Sequence, residues 1–200
     1  MMQFSIVEQI ALVVFLLSGI SFFLYHLLIR LKIVLKGKSN FSIDELPKRV
    51  KRVFDEVILH KKVASGKRKS AGILHALVMY GFIFFGLITI NHFGMAFGLP
   101  IFSDSIRHTY FLFFGAPWAI LCSIGILGLA YRRFVIKPEA LGKFSSTSAI
   151  VSVFIVTLMV TYLIDEFHIL SGTAEKFNWW LHSGVIGGFL FLIPQSKHMH

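Results

Sequence analysis

The chain has 200 residues, 56% of them hydrophobic, with 22 phenylalanines, a single cysteine and a formal net charge of +10; its mean hydropathy is +0.74. This composition excludes an ordinary soluble domain, and five long apolar runs leave no room for a soluble catalytic one. One cysteine cannot hold an iron–sulfur cluster, the sequence has no CxxCH for covalent c-type haem, and it has neither a glycine-rich phosphate loop nor an HExxH zinc motif.

The apolar runs predict an all-α integral membrane protein, with five transmembrane helices forming one bundle over residues 1–200. The spans fall at about 6–29, 71–97, 109–131, 147–165 and 177–195, each near the length that crosses a bilayer. The first run lacks a basic leader and a small-x-small cleavage site, so it reads as a retained anchor. After it, residues 42–63 predict an amphipathic segment. Ser42 and Glu45 have capping-box spacing, and Leu46, Val50, Val53 and Val57 recur at helical spacing among Lys48, Arg49, Lys51 and Arg52. Such a helix lies on the inner membrane face or docks a partner there. Cys122 falls inside the third span, where a small packing residue is expected.

Charge placement predicts the orientation. Of the 20 Lys and Arg, 18 fall before the second span, after the third and near the C-terminus, leaving Arg107 and Lys176 on the other side. The positive-inside rule makes the 18-residue side cytoplasmic, with the N-terminus outside and the C-terminus inside. The positive charge therefore reports topology and anionic lipid contact, not nucleic-acid binding.

Four histidines lie within or at the ends of two spans. His75 and His92 are 17 residues apart and His182 and His200 are 18 apart, so each pair spans roughly 25–27 Å of helix. In antiparallel helices, His75 meets His200 near one face and His92 meets His182 near the other. Two imidazoles facing each other across a bundle suit a six-coordinate haem iron. Eighteen residues put His182 and His200 on one helix face, whereas seventeen leave His75 and His92 about 100° apart. Gly72, Gly81 and Gly86 flank the first pair, and Gly184, Gly187 and Gly188 lie between the second. They serve either close helix approach or a porphyrin edge. Pro194 predicts a kink in the last span.

The segments Trp179-Trp180-Leu181-His182 and Ile193-Pro194-Gln195-Ser196-Lys197-His198-Met199-His200 resemble the last helix of the respiratory nitrate reductase gamma-subunit family. Its His, Pro, Ser, basic residue and second His fall on His182, Pro194, Ser196, Lys197 and His200. The second span, from Ile73-Leu74-His75 to Asn91-His92-Phe93-Gly94-Met95, and the Tyr131-Arg132-Arg133 exit resemble that family too. Arg49-Val50-Lys51-Arg52-Val53 and His60-Lys61-Lys62-Val63 resemble a branch of it, the haem b membrane modules of heterodisulfide-reductase-like iron–sulfur oxidoreductases. In the nitrate reductase subunits the second His of this helix comes ten residues after the first, where this chain has Phe85.

The resemblance implies a membrane electron-transfer subunit of a bacterial or archaeal cytoplasmic membrane. It would pass electrons between a quinone pool, menaquinone or ubiquinone, and a cytoplasmic iron–sulfur protein or domain. It implies haem b held by His75 with His200, and by His92 with His182: two haems, or one if His92 does not ligate. A ligand at the final residue leads us to expect either the N-terminal part of a longer iron–sulfur protein or a partner that holds His200. Location alone nominates Asn91, Arg107 and His108, with Asp104 and Lys176, as quinone contacts. Two other classes compete: a proton-conducting channel or transporter component, and a cofactor-free membrane anchor.

Overall fold

The computed structural model describes residues 3–37, 43–59, 61 and 69–196. Among these residues the chain is all helical, with six helices and no strand: α1 (Ile6–Leu35), α2 (Leu46–Val53), α3 (Lys69–Ala96), α4 (Asp104–Ile136), α5 (Ser146–Glu166) and α6 (Gly172–Gln195). Four of them, α1, α3, α4 and α5, are long and apolar enough to cross a membrane. The fifth expected span corresponds to α6, whose 24 residues have the length but a more polar first half, with Lys176, Asn178, His182 and Ser183. In the four apolar spans only 11% to 28% of the most hydropathic stretch is buried. Side chains such as Ile10, Val14, Leu17 and Phe113 face outward. That much exposed hydrocarbon needs lipid against it.

Helix starts follow local chemistry. Ser5 and Glu8 form a reciprocal capping box at α1: the Ser5 amide donates to Glu8 Oε2 (2.8 Å) and the Glu8 amide to Ser5 Oγ (3.3 Å). Ser103 and Ser145 accept from the first-turn amides of α4 and α5 in the same way. Within α4, Phe111–Gly115 and Arg132–Ile136 are widened π-helical turns. The amphipathic segment differs from expectation at its start. Ser42 lies outside the described residues, and the α-helix begins at Leu46 after a 3₁₀ turn over Ile43–Glu45. Pro47 sits in its first turn, where a missing amide costs nothing. The Tyr80 hydroxyl donates to the Ile58 carbonyl, tying this segment to α3.

α3 packs on α4, α4 on α5, α5 on α6, and α6 on α1. Lipid supplies no hydrophobic drive between helices, so close contact comes from small residues. A β-carbon on Gly125 would lie 2.8 Å from the Leu74 carbonyl oxygen, and one on Gly81 3.0 Å from Cys122. On α6, a β-carbon on Gly187 would lie 2.1 Å from the Phe15 ring, and one on Gly188 2.9 Å from Phe154. Of the six glycines expected to serve packing or a porphyrin edge, Gly81, Gly187 and Gly188 therefore serve packing. Gly86 and Gly184 face open space.

Among the described residues the last helix, α6, contains Pro194 and ends at Gln195, and Ser196 is extended (φ −103°, ψ 167°). Ser196 caps the end, its amide and hydroxyl donating to the Ile193 carbonyl, and Arg30 Nη2 donates to the Pro194 carbonyl at 2.9 Å. Residues Lys197, His198 and His200 lie outside the described residues.

Gly187→Ala should destabilise the bundle by about 1–3 kcal/mol through overpacking against Phe15, seen as a lower unfolding midpoint in detergent. Gly86→Ala, with nothing within 4 Å, should leave the midpoint unchanged or raise it. Equal midpoints for the two variants would contradict this packing.

Candidate functional site

One end of the bundle is acidic, carrying Glu8, Asp104, Asp165, Glu166 and Glu175; the other is basic, with Lys32, Lys69, Arg132 and Arg133. Polar side chains inside the helices gather at the acidic end. Asn91, on the penultimate turn of α3, is buried, and its Oδ1 accepts from the Ile101 and Phe102 amides at 2.9 and 3.0 Å. Its acceptor is thus spent folding the connecting loop back over the helix end. Gly94 permits that fold, because a β-carbon there would lie 2.4 Å from the Leu99 carbonyl oxygen.

One turn along α3 from that loop, His92 meets α6. Its Nε2 is 3.0 Å from Ser183 Oγ, and its ring stacks on Trp179 at 4.7 Å and 14°. The ring centroid is 4.9 Å from that of His182, tilted by 52°. His182 Nδ1 is 2.7 Å from Thr161 Oγ1 on α5. Thr161 donates its only hydroxyl hydrogen to the Thr157 carbonyl (2.6 Å). Its oxygen therefore accepts from His182, so Nδ1 carries the proton and Nε2 presents a lone pair. Asn178 Nδ2, donating to the Thr161 carbonyl at 2.9 Å, binds α6 to α5 at the same level. Such a bond on the far nitrogen holds a ligating imidazole in one tautomer and orientation.

Beside this pair, Arg107 Nη1 reaches Glu166 Oε1 at 3.1 Å, while its buried Nε has no hydrogen-bond partner among the described residues. Two water-sized chambers adjoin the ion pair. One is lined by His92, His182, Thr161, Tyr162, Asp165 and Glu166 among others, and the second by Phe102, Tyr110, Tyr162, Arg107 and Glu166. A wider cleft of about 350 Å³ opens on His92, Met95, Arg107 and Asp165, with Asp104, His168 and Glu175 among its walls. At the rim Lys176 is held by Glu8 at 2.8 Å.

Not every residue expected in the site is in it. Arg107 is central. His108 is exposed and lines none of these spaces. His75 is exposed near the start of α3, far along the helix from His92, and His200 lies outside the described residues. Phe82, seven residues after His75 and only about 20° from it in phase, touches Phe189 of α6 at 5.9 Å. Thr161, Asn178, Ser183 and Tyr162 escaped the sequence reading. Their signal was a polar group at a buried position of an apolar helix.

Two half-buried imidazoles facing each other from different helices have the donor chemistry to hold a haem iron, but at 4.9 Å between ring centroids, with only a water-sized chamber beside them both, they would have to part to admit one.

Across its full length the chain is similar to the probable iron-sulfur-binding oxidoreductase FadF of Bacillus subtilis (strain 168), 27% identical over 232 aligned positions. The alignment takes in 100% of this chain and 32% of that protein, so the chain spans about a third of the curated relative's length. No protein-family model and no solved structure matches the chain.

Thr161→Val removes the acceptor from His182 while keeping the side chain's shape. It should lower stability by about 0.5–2 kcal/mol, the range of interhelical hydrogen bonds in membranes, whereas Thr161→Ser should stay near the parent. Thermal unfolding in detergent measures both, and a Thr161→Val protein as stable as the parent would contradict the bond.

Proposed function

We propose that the chain is the membrane electron-transfer module of a quinone-linked oxidoreductase, five helices with the acidic end outside and the basic end facing the cytoplasm. Its membrane is the cytoplasmic membrane of a bacterium or archaeon. The observation that carries this reading is the meeting of His92 and His182, with Thr161 fixing the tautomer of His182. His92 and His182 would hold a haem b near the acidic end, and His75 with His200 a second near the basic end. A haem held by two histidines would supply single-electron transfer rather than oxygen binding.

The protein's own groups do the rest. Thr161 keeps His182 Nε2 free of a proton, and Trp179 holds the His92 ring by stacking. Arg107 and Glu166 keep polar groups and water next to the pair inside an otherwise apolar bundle. The similarity to an iron-sulfur-binding oxidoreductase supports a partner, or an adjoining domain, that carries iron–sulfur centres. The 18 Lys and Arg on the basic side support a cytoplasmic location for it. Electrons would move between that partner and menaquinone or ubiquinone.

The purified protein, produced with adequate haem supply, should give the reduced-minus-oxidised bands of b-type haem. His182→Ala and His92→Ala should each remove the acidic-end component. A colourless preparation would contradict the reading and favour a cofactor-free anchor or a proton-conducting component.

A further inference from the structure

The helix that follows α1 stands apart from the bundle. No residue of α2 is buried, and its close packing is with the turns on either side, Ile43–Glu45 and Phe54–Ile58. Leu46, Val50, Val53 and Phe54 are 43% to 59% exposed. At helical spacing these four fall in one stripe about 100° wide. Lys48 and Arg52 lie on the opposite face, and Arg49 and Lys51 flank the stripe on its two sides. Arg49 pairs with Glu45 at 2.8 Å and Arg52 with Glu56 at 3.0 Å. The polar face thus finds partners within its own segment, whereas the apolar stripe is left open.

The tether to α3 sets the height of this segment. The Tyr80 hydroxyl donates to the Ile58 carbonyl, and its ring is braced by Trp118 of α4, with centroids 6.1 Å apart. Tyr80 lies 16 residues before Ala96, the acidic end of α3, or roughly 24 Å along the axis. Helical side chains lean toward the helix N-terminus, here the basic end, so the hydroxyl sits beyond that distance. Ile58 is therefore held near the far boundary of an apolar core about 30 Å thick, the level where tyrosine is favoured. At the same end Ile33, Val34 and Leu35 of α1 and Ile73 of α3 are also exposed. A protein seated on the stripe would have to displace the lipid that such hydrocarbon already requires.

We propose that residues 46–58 form a membrane-surface helix on anionic phospholipid at the basic end. Leu46, Val50, Val53 and Phe54 insert among the acyl chains, and Arg49 and Lys51 reach the headgroup phosphates from either side of the stripe. Long basic side chains do this with their stems on hydrocarbon and their charges in the headgroup layer. Tyr80 couples the helix to α3, so the lipid surface sets the height of α3 in the bilayer. The proposal needs only that the apolar helices span a membrane; no cofactor enters it.

Spin labels on the full chain in lipid vesicles test this. Val50→Cys and Arg52→Cys are labelled separately; Cys122, 1% exposed, is out of the label's reach. Collision with oxygen, which concentrates in lipid, is compared with collision with a water-soluble nickel chelate. In vesicles of phosphatidylcholine with phosphatidylglycerol, the oxygen-to-nickel ratio should be several-fold higher at residue 50 than at residue 52. That excess should shrink in phosphatidylcholine alone, and Arg49→Gln with Lys51→Gln should remove its dependence on the anionic lipid. Equal ratios at the two positions would overturn the proposal by placing the segment in water. A label at residue 50 shielded from both reagents would overturn it in favour of a protein partner. An excess equal in both vesicles would overturn the anionic preference.

Discussion

The hydrogen bond between His182 Nδ1 and Thr161 Oγ1, 2.7 Å long, decides which imidazole nitrogen is left over, and the acidic end of the bundle is organised around that choice. Within apolar helices a polar side chain must find its partner inside the protein. Thr161 meets this demand by passing its own hydrogen to the Thr157 carbonyl, which leaves its oxygen to accept. His182 of α6 is thereby tied to α5, with its ring beside His92 of α3. His92 arrives from α3 into the same space, braced by Trp179 and Ser183.

Backbone packing makes this meeting possible. Gly187 and Gly188 let α6 nest between Phe15 of α1 and Phe154 of α5, and Gly125 lets α4 close on Leu74 of α3. At the end of α3, Asn91 clamps the following loop, and the turn that carries His92 is fixed in place. Sparse packing between α3 and α6 elsewhere leaves their approach to depend on a few side chains, chiefly His92, His182 and the Phe82–Phe189 contact. A ligand shared by the two histidines would therefore act as a strut between helices that otherwise touch little.

Much of the fold was legible because its signals are local. Apolar runs marked α1, α3, α4 and α5 within a few residues, and basic residues gathered at one end as the loop charges predict. The site was legible only in part. Ideal-helix arithmetic set His92 about 100° from His75 and counted against it. Each histidine, however, needs to face its own partner, not its neighbour on the helix, and α3 shows α6 a different face at different heights. The same arithmetic favoured His182 with His200, but α6 ends at Gln195 and His200 lies outside the described residues. Thr161, Ser183 and Tyr162 are single hydroxyls in apolar runs, and nothing in their spacing tells a packing residue from one that orients an imidazole. That distinction needs the neighbouring helix.

The claim on which the account turns is that His92 and His182 share one haem. Haem extracted from purified protein and counted per chain tests it most directly when parent and the His92→Ala, His182→Ala double variant are compared. The account predicts one haem fewer per chain in the double variant. Equal haem content in the two proteins would contradict it.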